Sequence, residues 1–354
     1  MADVKGRRVT YIVTFIVFIG ACIGTAESKY YYQLLILRCL QSTGSASTIA
    51  IGAGMVGDIT TREDRGGYMG IFQAGLLVPL AIGPVLGGVF AQTLGWRAIF
   101  WFLTIYAAAF LVVLVFVLPE TLRSMVGNGS IPAKGLSQSL LGYIQQRRHP
   151  TAAKTIPDTP SNGKKAKIDV LGPLKIILSV EVSFVIAFLS IHYMVWQMSV
   201  AASSTLFKET YGLSEIQIGL TYISNGAGCI LATLTIGKFL DFEYRRTQAK
   251  FTGDPKEFPL ERARLRTLWL WSAIECASVL VFGWTIQYSI HISVPIICSF
   301  FIGWAATCIY SIANTYLVDV FTHSGASATA ALNLARCLVG AGGTAAILPL
   351  ANAI

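Results

Sequence analysis

Charge is what this sequence has least of. Only 13% of its 354 residues are Asp, Glu, Lys or Arg, and 54% are hydrophobic, where a soluble domain carries about 25% charged residues. With a mean hydropathy of +0.62, that shortage excludes an ordinary soluble enzyme and a disordered chain. Paired cysteine motifs are missing too. The seven cysteines all fall inside apolar runs with no CxxC spacing, which leaves them as small packed hydrophobes rather than disulfide or zinc ligands. No Walker A sequence, zinc motif or nucleophile elbow is present, so ATP-driven transport and catalysis are disfavoured and no cofactor is expected. No A-x-A-like site follows a short apolar stretch near Met1, and a cleavable signal peptide is not expected. The ~10-residue alternating segments of an outer-membrane barrel are absent as well.

What the chain does have is long continuous apolar runs. Nine can be marked: 9–26, 34–56, 68–90, 99–118, 182–206, 216–240, 268–287, 294–318 and 327–350. Each is close to the ~20 residues that cross a bilayer as a helix. The fold class expected is an all-α polytopic membrane protein of about nine spans. The organisation expected is a four-span N-terminal bundle over 1–118, a basic linker over 119–173, and a five-span C-terminal bundle over 174–354. The linker holds eight Lys or Arg against three acids and is rich in Gly, Ser and Pro. Positive charge also gathers at Lys5, Arg7 and Arg8, at Arg62 and Arg65, and in seven residues between Arg245 and Arg266. Alternate connections hold only Lys29, Arg97 and Lys208. The first set is therefore expected on the cytoplasmic side. The net charge of +9 is then a topology signal, and nucleic-acid binding is disfavoured.

Asp3-Val-Lys-Gly6-Arg7-Arg8 and Asp241-Phe-Glu-Tyr244-Arg245-Arg246 share a D-x-x-[G/Y]-R-R pattern. Both are expected in tight cytoplasmic turns. Counting spans around the two copies suggests a doubled six-helix unit, a recognised transporter plan, with two N-terminal spans and one C-terminal span missing from this chain.

Other polar residues inside the runs are chemically informative. Arg38 lies about four residues into an apolar run and shares a helical face with Gln41, Ser45 and Thr48. A charge there costs at least ~2.5–3.5 kcal/mol at mid-membrane. It either tunes a nearby acid for proton coupling or snorkels near a helix end. Arg336 repeats the arrangement with Thr329, Asn333 and Gly340, as a coupling residue or part of an interhelical network. Glu275 is the deepest clear carboxylate and a candidate proton shuttle. Gly83 and Gly87 form a small-xxx-small pair around the helix-bending Pro84. His192, Tyr193, Trp196, Gln197, Tyr310 and Asn314, with Asn333, are candidates for a substrate cavity. Simple packing is the competing explanation for these aromatic residues.

Together these motifs resemble the fungal drug:proton antiporters of the major facilitator superfamily, above all their quinidine-resistance-like branch. Asp3, Gly6, Arg7 and Arg8 match the end of the superfamily loop motif. Arg38-Cys-Leu-Gln41-Ser-Thr-Gly44-Ser45, in the second span, matches the family's R-x-x-Q-G-type motif. Gly83-Pro84-Val-Leu-Gly87-Gly88 is similar to the antiporter signature, although Pro79 replaces an expected glycine. Pro119-Glu120-Thr121, Asn314 to Asp319, and Ser327 to Cys337 resemble later segments of the same branch. The resemblance implies a major facilitator fold and proton-coupled export of drugs, xenobiotics or metabolites by alternating access. It implies a monomer in the plasma membrane, with small-molecule substrate, protons and bilayer as its partners and the proton gradient as its energy source. An organic acid, polyamine or secondary metabolite is the alternative cargo. A truncated product that does not transport is the alternative of another class.

Overall fold

The computed structural model describes residues 6–59, 65–122, 126, 172–251, 259–321 and 325–353. Asp3 and most of the linker lie outside the described residues. Among the described residues there are eleven helices and no strand. They are α1 (Arg7–Glu27), α2 (Tyr31–Ile59), α3 (Arg65–Thr93), α4 (Trp96–Val117), α5 (Gly172–Ile177), α6 (Val180–Tyr211), α7 (Glu215–Lys250), α8 (Leu260–Leu265), α9 (Leu268–Gln287), α10 (Ser293–Val320) and α11 (Gly325–Ala353). Each of the nine apolar runs lies within a long helix, Leu118 alone falling one residue past the end of its own, and the helix containing 216–240 runs ten residues further. By length and hydropathy, 7 of the helices can cross a membrane, and α3 adds a shorter apolar stretch over Ala81–Thr93.

Local sequence sets the helix ends. Gly95 enters α4 at φ +82°, and Gly212 closes α6 in the left-handed conformation at φ +61°, positions where a Cβ is costly. At the start of α7, the Ser214 hydroxyl accepts from the Gln217 amide and Gln217 Oε1 accepts from the Ser214 amide, a complete capping box. Prolines 79 and 84 lie within α3.

The chain divides into two compact units. In the first, α1 packs against α2 and α4, with Tyr11, Ile51 and Leu114 at the centre. Gly44 of α2 is where the backbones meet: a Cβ there would come within 2.9 Å of Thr14 O and Phe18 N of α1. At the other end of this trio, Arg97 Nη2 donates to the Ser28 carbonyl at 3.0 Å.

The second unit comprises Leu76–Val89 of α3 together with the chain from Ile168 onward. Its tightest seam joins α7 and α10. Gly228 sits against the Phe300 carbonyl, and a Cβ on Gly303 would lie 2.6 Å from the Asn225 carbonyl. Side chains then bond across the narrow gap to backbone: Ser224 Oγ to the Ile296 carbonyl at 2.7 Å, and Asn225 Nδ2 to that of Ser299 at 3.0 Å. Membrane helices associate through such small-residue contacts and interhelical hydrogen bonds because lipid supplies no hydrophobic drive between them. Gly228→Val is expected to destabilise the unit by roughly 1–3 kcal/mol, the usual cost of overpacking. Thermal unfolding in detergent checks this, and an unchanged midpoint would contradict the seam.

Two expectations need correction here. Asp241, Arg245 and Arg246 are not in a turn: α7 runs without a break to Lys250. The segment after Gly237 contains no Gly, Pro or Asn to end the helix, and Glu243 braces it with ion pairs to Arg246 and Arg266, both at 3.5 Å. The cysteines also divide. Cys22, Cys229, Cys298 and Cys308 are buried in packing, whereas Cys39, Cys276 and Cys337 are exposed.

Candidate functional site

In the second unit, α6, α10 and α11 bring one face each to a polar cluster. Arg336 of α11 donates from Nε to Asn333 Oδ1 at 2.8 Å, one turn back on its own helix. Its guanidinium carbon lies 4.5 Å from the centroid of the Tyr193 ring of α6 and 4.8 Å from that of Tyr310 of α10. The Tyr310 hydroxyl reaches Asn333 Oδ1 at 3.5 Å, and the Thr329 hydroxyl donates to Asn314 Oδ1 at 3.2 Å. A Cβ on Gly340 would sit 3.0 Å from the Tyr193 ring, so the bare glycine gives that ring its seat one turn from Arg336. The sequence had placed Arg336 with the coupling residues and the two tyrosines with the substrate. The structure puts them together.

Two of the candidate cavity residues lie elsewhere. Trp196 meets Tyr193 edge-on at 5.5 Å and joins an apolar cluster around Phe207 and Ile302. His192 turns toward α9: its Nδ1 is 2.8 Å from Glu275 Oε2, and its Nε2 is 2.7 Å from Ser272 Oγ. Glu275 is 0% exposed and His192 is 9% exposed. Glu275 Oε1 has no hydrogen-bond partner among the described residues. The trio can therefore hold a proton in two ways. A neutral imidazole with Nδ1–H donates to the carboxylate and accepts from Ser272, while an imidazolium donates from both nitrogens. Pairing offsets a burial cost that neither charge could bear alone. Ser272 went unnoticed in the sequence, although it stands three residues before Glu275 and so on the same helical face.

A small cavity in this unit is lined by Ser199, Ser203, Thr221, Tyr222, Asn225 and Ser299 together with Val200, Phe207 and Ile302, and measures about 10 Å³. That is room for about one water and too little for an organic substrate.

In the first unit, Arg38 is exposed and its Nη1 donates to Gln41 Oε1 at 2.8 Å, with the Phe100 ring 5.6 Å away. Gln41 is buried and its Nε2 points to Cys22 Sγ at 3.2 Å. The expected stripe of Arg38, Gln41, Ser45 and Thr48 is therefore split. Gln41 faces α1, while Ser45 is exposed and bonds back to Ser42.

The loop motif forms a built junction. Gly6 caps α1 at φ +102°. Arg7 Nε pairs with Asp58 Oδ2 of α2 at 3.0 Å, and Gly54 leaves room for that guanidinium. Arg8 is buried and donates from Nη2 to the Val115 carbonyl at 2.7 Å. The carboxylate at the helix N-terminus is Glu120, which accepts from the Arg7 and Arg8 amides at 2.8 and 3.2 Å. In the second unit the matching contact is Arg264 Nε to Asp319 Oδ2 at 2.8 Å, with Tyr244 stacked at 4.5 Å. It uses neither Asp241 nor Arg245.

The antiporter-like segment packs within the second unit through a different face from the one its glycines suggest. Among the described residues, a Cβ at Gly83 or Gly87 would meet nothing within 4 Å. Instead Gly88 lies against the Glu215 carbonyl, Pro84 O is 2.6 Å from a Cβ on Gly219, and Ala81 fits over Gly226. Helical spacing explains the shift, because 81, 84 and 88 share a face that 83 and 87 do not.

The family model of the Major Facilitator Superfamily matches residues 1–344. The chain belongs to that superfamily. It is 39% identical over its whole length to "Citrate exporter 1" of Aspergillus niger, covering 69% of that protein. It is 32% identical to "MFS antiporter QDR2" of Candida albicans, again over all of this chain and 71% of the other. Among solved structures, a bacterial homologue of the human lysosomal transporter Spinster, inward-facing and unoccupied, matches with a TM-score of 0.54 at 15% identity. That match covers 97% of this chain and 68% of the other. A bacterial homologue of the iron transporter ferroportin matches at a TM-score of 0.52 and 13% identity, over 97% and 76%. At these identities the two structures show the shared fold alone. The chain is thus an all-α, multi-span facilitator, a transporter and not an enzyme.

Proposed function

We propose that this facilitator exports small organic solutes across the plasma membrane in exchange for protons, by alternating access, as a monomer and with no cofactor. The observation that carries the proton half of this reading is the buried trio of His192, Glu275 and Ser272. It is an acid and a base in hydrogen-bond contact inside helices long and apolar enough to span a bilayer, and intramembrane ionisable groups of this kind mark proton relays. The export half follows from the relatives, one named an exporter and one an antiporter. Arg38 and Gln41 are a second place where coupling could act, through the charge Arg38 brings to any nearby acid.

The test is transport in proteoliposomes with a pH gradient imposed across the membrane. Glu275→Gln keeps the size and hydrogen bonding of the side chain but cannot ionise. It is expected to abolish gradient-driven accumulation of substrate while leaving substrate-for-substrate exchange in place. Full gradient-driven transport by this variant would sink the assignment of Glu275, and the same result with Arg38→Ala as well would sink proton coupling through either group.

A further inference from the structure

The Arg336 cluster carries a charge that nothing among the described residues neutralises. Among the described residues no carboxylate pairs with Arg336, and its only hydrogen bond is the one from Nε to Asn333. The two tyrosine rings offer their faces to the cation, which is favourable but leaves its planar edge, Nη1 and Nη2, without acceptors among the described residues. A guanidinium presents paired N–H donors in a rigid fork that matches the two oxygens of a carboxylate. In a bilayer-spanning unit, an uncompensated cation is expensive to keep. Beside it, Gln197 lies next to Gly340 with its Cγ 3.9 Å from where a Cβ would stand, and its amide has no hydrogen-bond partner among the described residues. The site therefore holds a forked cation, an uncommitted amide donor and two aromatic walls.

We infer that Arg336, walled by Tyr193 and Tyr310, is a carboxylate-binding subsite, and that the solute this facilitator carries is an organic anion. The inference rests on the reading of the chain as a solute exporter and names the class of its cargo. Asn333 and Gly340 act as positioning residues, one by holding Nε and the other by seating the Tyr193 ring.

Binding measured apart from transport tests it. The protein in nanodiscs of neutral phosphatidylcholine is titrated with tricarballylate, tetraphenylphosphonium and inorganic phosphate, read by calorimetry. Tricarballylate is expected to bind and tetraphenylphosphonium is not. Arg336→Ala is expected to weaken tricarballylate by at least about 10-fold, the scale of losing hydrogen bonds to a charged group at a half-buried site. Arg336→Lys keeps the charge without the fork and should recover only part of the loss, and it serves if the alanine variant fails to fold. Tyr310→Phe keeps the ring and should bind nearly as the parent does, whereas Tyr310→Leu should lose about two- to fivefold.

Tricarballylate binding unchanged in both Arg336 variants would overturn the subsite, as would tight binding of the cation that depends on the tyrosines. Phosphate competing as well as tricarballylate would overturn the carboxylate class. Loss of proton-driven transport in Glu275→Gln with anion binding intact leaves this inference standing, so the two readings can fail separately.

Discussion

Replacing His192 with alanine is expected to cost the second unit about 3–5 kcal/mol, the usual consequence of leaving a buried ionisable group without its partner. Glu275 has no other hydrogen bond among the described residues: Oε2 is held by His192 and Oε1 by nothing. With the imidazole gone, the carboxyl must either stay ionised in an apolar surrounding or take up a proton. A companion double variant, His192→Leu with Glu275→Met, removes both charges and keeps similar volume. It should recover most of the loss, because buried ion pairs can often be exchanged for packed apolar side chains at little cost. Thermal unfolding in detergent measures both. If the double variant proved as unstable as the single one, the damage would come from lost packing against Phe188, whose ring centroid lies 4.6 Å from that of His192, and not from an orphaned charge. Ser272→Ala should cost only about 1 kcal/mol, the worth of one ordinary hydrogen bond.

The second large effect is expected at Glu120. This side chain gathers four backbone amides: those of Arg7 and Arg8 opening α1, and those of Thr121 and Leu122 in its own segment, each of the latter at 3.2 Å. It fixes the end of α4 to the start of α1, where the helix dipole and unsatisfied N–H groups favour an anion. It also stands beside the buried Arg8, whose Nε and Nη1 have no hydrogen-bond partner among the described residues. Glu120→Ala should therefore destabilise the first unit by on the order of 2–3 kcal/mol, with charge-assisted bonds setting the scale. Glu120→Gln keeps one acceptor and should lose about half as much. Hydrogen exchange locates the damage: the Arg7 and Arg8 amides should lose protection while the Gly44 crossing of α1 and α2 keeps it. Unaltered exchange at Arg7 and Arg8 would show that the Arg7–Asp58 pair and the Arg8–Val115 bond hold the junction without Glu120. Gly6 belongs to the same arrangement. A Cβ there would meet Glu120, and the backbone stands at φ +102°, so Gly6→Ala should mimic the loss.

The loop motif shows how far a sequence pattern carries. Gly6, Arg7 and Arg8 are legible as the end of a loop motif, although paired arginines before a span could also be a basic flank that only sets topology. The acid that serves them was not legible. Glu120 is separated from Arg7 by |i−j| = 113, and no local spacing connects the two. The second copy of the pattern misled for a related reason. Asp241 to Arg246 repeats the residue types of the first, but the backbone there continues as helix, and Arg264 with Asp319 makes the equivalent contact.

Gly83 and Gly87 illustrate the same limit within one helix. Four-residue spacing announces a face on which helices can meet, yet which small residues are used depends on how the neighbour approaches. Here Gly88, with Pro84 and Ala81, makes the approach to α7.

What the sequence determined by itself is what local hydrophobicity governs: the all-helical class and where the nine long helices among the described residues lie along the chain, though not where each one ends. Those features need only the neighbouring residues, because a bilayer demands that each spanning segment satisfy its own backbone. The tertiary structure alone decided which polar side chains share a site. His192 and Glu275 are |i−j| = 83 apart, and Tyr193, Tyr310 and Arg336 come from three separate helices. The physical reason is that helix periodicity fixes a side chain's face only relative to its own axis, while the rotation and depth of each helix are set by packing against the others.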